Sequence, residues 1–203
     1  METKTKTAVA MVVFSCYPSD PRVRREAEVL ERAGMEVDVI CLRGKKESGV
    51  ESFGGVTAYR VMEGTERKEN VIKYFLLSFV FMILAFIRLL GLSVKKKYRL
   101  VQAHNMPDFL VFAGAFHKAM GVPLVLDLHD LSVELFESKC GGTWLAGLKP
   151  LVRLMEKASC AFADRLLTTS AGFKESLVKR GVDPKKITLI LNSADDNVFN
   201  HPP

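Results

Sequence analysis

Seven short runs of β-branched and aliphatic residues recur along the chain: AVAMVVFS (8–15), EVDVICL (36–42), VTAYRV (56–61), YRLVQAH (98–104), PLVLDLH (123–129), DRLLTTS (164–170) and ITLIL (187–191). Most are apolar at consecutive positions rather than at alternate ones, so each strand needs cover on both of its faces. Helical patterns fill most of the gaps. Pro21 opens one that closes at Gly34, a first-turn proline matched by a C-terminal glycine. A second runs from Pro107 to Gly121, a third through LKPLVRLMEKASCAFA with Pro150 at a kink or start, and a fourth follows Ser170 as its N-cap. Strand, helix and strand in succession call for an α/β fold, a doubly wound, Rossmann-like parallel sheet of about seven strands.

A chain of 203 residues, 48% hydrophobic and 26% charged, suffices for one domain with a large core. Its four cysteines (Cys16, Cys41, Cys140, Cys160) lie far apart with no C-x-x-C pair, which favours reduced thiols in a cytosolic protein over a zinc site or a disulfide framework. Lysines precede the first apolar run, but no A-x-A-like cleavage site comes before Pro18, so the run is a first strand rather than a signal peptide. A net charge of +6 favours anionic partners such as membrane surfaces or phosphorylated substrates. Nucleic acid is disfavoured, because the basic residues are scattered and the aromatics lie within apolar runs.

The stretch YFLLSFVFMILAFIRLLGLSV (74–94) has Arg88 as its only charge, with Lys73 before it and Lys95, Lys96 and Lys97 after it. About 20 such residues are long enough to cross a bilayer. A crossing would put the first three strands and the last four in different compartments, which one sheet forbids. With Phe75, Phe79, Ile83, Phe86 and Leu90 turned inward, the opposite face carries Leu77, Phe81, Leu84, Arg88 and Leu92 and is still largely apolar. Two readings stay open besides a span: a buried helix in a larger assembly, and a helix in the membrane interface with Leu77, Phe81, Leu84, Arg88, Lys95, Lys96 and Lys97 as contacts.

In doubly wound sheets ligands bind beyond the carboxyl ends of the strands. The first loop, SCYPSDPRVRRE, lacks the G-x-G-x-x-G dinucleotide fingerprint but offers Tyr17, Asp20, Arg22 and the first amides of a helix as a seat for phosphate. His104 and Asn105 follow the fourth strand pattern, His129 and Asp130 the fifth, giving two histidines in one cleft. No third ligand is spaced nearby, so no metal is expected. No serine sits in a G-x-S-x-G elbow, which leaves a self-contained hydrolase without a nucleophile.

The segments DPRVRREAEVLERAGMEVDVICL, VQAHNMPDFLVFAGAFHKAMGVPLVLDLHDLSVE and EKASCAFADRLLTTSAGFKESLVKRGVDPKKITLILNSADDNVF resemble the N-terminal half of the family 4 glycosyltransferases, retaining enzymes of the GT-B fold. The resemblance covers essentially the whole chain. It implies an acceptor-binding domain over residues 1–192, the start of an interdomain linker at 193–203, and a donor-binding domain beyond. The linker reading has support of its own, since Pro202 and Pro203 stiffen an extended exit, and Asp195 and Asp196 are turn residues there rather than a metal pair.

By the same resemblance His129 is the catalytic position lining the sugar side of the cleft. Tyr17–Arg22 is the acceptor and phosphate loop, although it lacks the paired glycines common in the family, and Ser170 and Asn192 sit at the cleft rim. The implied substrates are a nucleotide sugar and a sugar or lipid-linked acceptor, with no metal or redox cofactor. The expected location is cytoplasmic, peripheral at the inner face of the membrane. Two alternatives are a separate membrane-docking subunit that pairs with a donor-binding chain, and a non-catalytic Rossmann-like binding domain.

Overall fold

The structure, a computed structural model, describes residues 7–64 and 71–191. Asn192 and the expected linker at 193–203 lie outside the described residues. Eight strands make one sheet: β1 (Ala8–Cys16), β2 (Glu36–Arg43), β3 (Val50–Phe53), β4 (Val56–Glu63), β5 (Tyr98–His104), β6 (Leu124–Leu128), β7 (Arg165–Thr168) and β8 (Ile187–Leu189), in the order β3-β4-β2-β1-β5-β6-β7-β8. Among the described residues six α-helices connect them: α1 (Pro21–Arg32), α2 (Val71–Ser93), α3 (Ala115–Ala119), α4 (Ser132–Cys140), α5 (Lys149–Phe162) and α6 (Ala171–Lys179).

The seven strands expected from the sequence are all present and pair in parallel. The eighth, β3, is an antiparallel edge strand turned back from β4 through Gly54-Gly55. Gly54 takes φ of +61°, the left-handed backbone such hairpin turns require.

From β1 the chain winds to one edge through β2 and β4, then returns to the other side of β1 for β5 to β8. The strand order therefore reverses between β1 and β5, and the crevice beyond their carboxyl ends is where a doubly wound sheet binds ligands. Alternation along β1 divides the core. Met11 and Val13 pack with Val37, Val39 and Cys41 beneath Val23 and Ala27 of α1. Val12 joins Ile40, Leu126 and Leu166 on the opposite face, beneath Phe81 and Leu89 of α2 and Leu177 of α6.

Local chemistry sets the helix boundaries. Asp20 caps α1 by accepting from the Arg22 amide, and Gly34 follows its end at φ of +84°. Ser170 caps α6 through the Phe173 amide at 3.1 Å. The helix expected over 107–121 forms as a 3-10 turn at Asp108–Gly114 followed by the short α3. A Cβ on Gly114 would lie 2.7 Å from Leu124 Cδ2, so the glycine lets this segment press closely on β6 without moving that side chain.

α2 corrects the expected helix phase. Its buried residues are Ser78, Phe81, Ala85 and Leu89, whereas Leu76, Phe79, Val80, Ile83 and Ile87 are exposed. Phe81, expected at a membrane, is wholly enclosed and meets Phe14 edge-on at 5.3 Å between ring centroids. Phe79 and Ile83, expected inside, face out. Leu77, Leu84 and Leu92 are half-buried at the helix flanks. The reason is steric: Ser78 and Ala85 are the small residues that let the helix lie close to the sheet, while a helix apolar all round carries no phase in its hydropathy.

Two of the expected lipid-facing cations are also engaged elsewhere. Arg88 stacks over the Tyr59 ring at 5.0 Å. Lys96 Nζ lies 2.9 Å from both oxygens of the fully buried Asp38 carboxylate, which also accepts from Tyr98 Oη at 2.6 Å. An unpaired carboxylate there would be costly, so Lys96 is a structural counter-ion. Lys95 and Lys97 are exposed.

α2 is long and apolar enough to cross a membrane, with 23 residues that include an 18-residue stretch of mean hydropathy 2.5. The strands on either side of it, β4 and β5, nevertheless belong to one sheet.

Candidate functional site

Asp127 and His129 are two residues apart at the end of β6, and β5 aligns His104 directly beside Asp127. The strand period of two turns these three side chains toward the α1 side of the sheet. Asp127 Oδ2 lies 2.9 Å from His104 Nδ1 and 2.7 Å from His129 Nε2. Glu26 on α1 completes the group, its Oε1 at 3.8 Å from His129 Nε2 and its Oε2 accepting from Gln102 Nε2 at 2.5 Å.

Burial opposes a charge on His129, but its contacts with Asp127 and Glu26 outweigh that cost and push its pKa up to about 9. Burial would likewise raise the Asp127 carboxyl; hydrogen bonds from both imidazoles hold it well below the usual carboxylate range. At neutral pH the group is thus a cationic His129 braced by an anionic Asp127.

Asn105 fixes the loop that carries His129. Its Oδ1 accepts from the His129 amide at 3.0 Å, its Nδ2 donates to the Asp130 carbonyl at 2.5 Å, and its own amide donates to the Asp127 carbonyl at 2.9 Å. Asp130 itself is exposed. Thr169 Oγ1 donates to the His129 carbonyl at 3.4 Å, which places Ser170, the α6 cap, beside the same loop.

The β1–α1 loop differs from its expected role. Asp20 receives Ser15 Oγ at 3.0 Å, the Arg22 amide, and Arg22 Nε and Nη2 at 3.1 and 2.9 Å. The phosphate seat expected there holds the protein's own carboxylate, and Arg22 is neutralised by it. Tyr17 is 1% exposed, with its ring edge-on to Phe53 inside the α1-side core; it is a packing residue rather than a ligand contact.

A cavity of about 840 Å³ opens beside this loop, between the ends of β1 and β2, the head of α2 and the inner side of α4. Phe14, Tyr74, Phe75, Leu135 and Phe136 form its apolar wall, and Ser15, Ser19, Asp20, Arg22, Ser132 and Lys139 its polar one. Tyr74 is held by its hydroxyl, which donates to the Met106 carbonyl at 3.0 Å. Arg22 links cavity and histidine cluster, since it lines the first and feels the charges of Asp127 and Asp130.

Sequence reasoning missed Asp127 and Glu26. Asp127 had a signal, the alternate spacing in DLHD; Glu26, on a helix, had none. The metal expectation rested on the lack of a third ligand near the two histidines, and the fold supplies both carboxylates: ligand atoms of Glu26, His104, Asp127 and His129 all lie within 4.8 Å of one another. Two imidazoles and two carboxylates suit a transition metal by type. Asp127 Oδ2 faces both imidazoles at 2.9 and 2.7 Å, yet His104 Nε2 and His129 Nδ1 stay buried without a hydrogen-bond partner among the described residues.

The family model of the glycosyl transferase 4-like domain matches residues 19–193. The chain belongs to that family. As a glycosyl transferase 4-like domain it is similar to sucrose-phosphate synthase from Thermosynechococcus elongatus, at 18% identity and a TM-score of 0.69 over 96% of this chain. It is similar also to the lipopolysaccharide outer core galactosyltransferase WaaB, at 14% identity and a TM-score of 0.55 over 93%. A UDP-N-acetylglucosamine 2-epimerase from Rickettsia bellii, at 10% identity and 0.54 over 90%, has the same fold, so the fold alone does not choose the reaction. No curated protein matches the sequence. The chain spans 50%, 46% and 44% of these three structures' own lengths.

Proposed function

We propose that this glycosyl transferase 4-like domain binds the acceptor in sugar transfer from a nucleotide sugar, at a membrane surface, together with a donor-binding unit supplied in cis or in trans. The observation that carries the reading is His129, cationic and braced by Asp127 just beyond the carboxyl end of β6, with Arg22 lying between this cluster and an amphiphilic cavity. Its Nδ1 is buried and has no hydrogen-bond partner among the described residues. A charged imidazole with a spare N–H stabilises oxygen atoms that gain negative charge, and a fixed donor of that kind acts without reorganising during reaction. His129 serves here as a hydrogen-bond donor and positive charge rather than as a general base, because it keeps its proton at neutral pH.

The acceptor takes the cavity, with its apolar part against Phe75, Leu135 and Phe136 and its polar part toward Ser19, Ser132 and Lys139. Transfer with retention needs no protein nucleophile, and the leaving diphosphate is stabilised mainly by the donor-binding unit. The purified 203-residue chain is therefore expected to show no turnover with any nucleotide sugar. Saturable turnover by the chain alone would contradict the division of labour.

The membrane part rests on the exposed stripe of Leu76, Phe79, Val80, Ile83 and Ile87, in a helix without a single acidic residue and followed by the exposed Lys95 and Lys97. Leu76→Glu with Ile83→Glu is expected to abolish flotation of the chain with anionic vesicles while leaving thermal unfolding in place. Phe81→Glu should instead unfold the domain, because that ring is in the core. Unchanged flotation of the double variant would remove α2 from the membrane contact.

A further inference from the structure

A second apolar strip lies on the same helical layer and has no part in the core. The 3-10 turn Trp144–Leu148 buries none of its residues, and Trp144 is 79% exposed. One turn later Leu151 and Leu154 stand on the outer side of α5, 52% and 62% exposed, while Val152, Glu156 and Ser159 face inward. An ordinary covering helix presents charged residues where these leucines stand.

We propose that Trp144, Leu148, Leu151 and Leu154 form a second bilayer-contact patch that seats on anionic lipid alongside α2. The inference rests on the membrane reading given above and adds to it a site on a different element.

Charge decides the occupant. Arg153 and Lys157 are exposed beside the leucines. The one acidic residue of α5, Glu156, is turned inward and paired with Arg180 Nε at 2.8 Å. Nearby Glu137 is paired with Lys149. The outer face from Trp144 to Lys157 is thus apolar and positive with no free carboxylate, which complements an anionic head-group layer. An exposed indole on such a rim has the amphipathic character that favours the boundary between head groups and acyl chains.

The elements that carry the two strips meet at one end. Val71 at the head of α2 and Leu145 of the 3-10 turn pack on the same buried group, Val133, Phe136, Cys140 and Val152. That group backs onto the cavity, whose wall includes Val71, Phe136 and Cys140. Seated on both strips, the domain would hold the cavity beside the lipid surface, where an amphiphilic acceptor can enter without leaving the bilayer.

Trp144 is the chain's single tryptophan, so its emission reports on this patch alone. The experiment titrates the 203-residue chain with phosphatidylcholine vesicles containing phosphatidylglycerol and follows co-sedimentation and tryptophan emission together. The expected result is binding accompanied by a blue shift and by quenching from lipids brominated on the acyl chains. Leu151→Glu with Leu154→Glu, both exposed and so tolerated by the fold, should weaken binding at least about tenfold and remove the shift. Binding with unchanged, unquenched emission overturns the second patch and leaves the α2 contact standing. Absence of any sedimentation overturns both.

Discussion

His129→Ala is expected to lower sugar transfer by about a hundredfold or more, measured in membranes that also contain the donor-binding unit, because removing one preorganised donor from a developing charge costs about that much. The loss should fall on kcat rather than KM, since the imidazole acts where charge grows and not where the acceptor's apolar part is held. The fold should persist, because β6 keeps its neighbours and Asn105 still fixes the loop through backbone groups. A variant within about twofold of wild type would make His129 a structural residue.

Asp127→Ala is expected to destabilise the domain by about 3 to 5 kcal/mol, the range seen when one partner of a buried charged group is removed. The carboxylate faces two imidazoles at 2.9 and 2.7 Å and is itself 3% exposed. The pH dependence separates this loss from simple cavity formation. His129 binds its proton more tightly folded than unfolded, so its contribution is complete below its ordinary pKa near 6.5 and is lost as pH rises through about 9. That rise corresponds to about 3 kcal/mol. The Asp127 contribution runs the other way, present above the ordinary carboxylate range and lost in acid. Urea unfolding at pH 6 and pH 9.5 should show the wild type losing stability across this window and Asp127→Ala losing little. Equal slopes would mean that the two groups are not coupled as the geometry implies.

How far the sequence anticipates this molecule depends on how local each cause is. The seven two-sided strands, the helix start at Pro21 and the cap at Ser170 are set by residues within a few positions of one another, and they were legible; the cap at Asp20 was not read. β3 was not, because VESF is exposed and carries no core pattern. α4 was overlooked in SVELFESKC, although it supplies one wall of the cavity. The phase of α2 could not come from hydropathy in a helix apolar on every side; Ser78 and Ala85 held the information, as small residues rather than apolar ones.

Of the site, the histidines were visible as strand-end residues. The tie between His104 and Asp127 depends on the register of β5 against β6, and the Glu26 contact on how α1 crosses the sheet; both are long-range. Arg22 and Lys96 show the converse error. Each was read as a cation available to a ligand, and each is matched by a carboxylate of the protein itself, Asp20 and Asp38.

The most direct test of sugar transfer follows a labelled product in cells rather than in the isolated domain. Membranes from cells lacking this gene are incubated with radiolabelled nucleotide sugars, and label is counted in the organic-solvent extract and in the aqueous glycan fraction. The expected result is one labelled, solvent-extractable product that disappears on deletion, returns with the wild-type gene and fails to return with His129→Ala. An unchanged set of labelled products after deletion, across all the nucleotide sugars supplied, would contradict a role for this domain in glycosyl transfer.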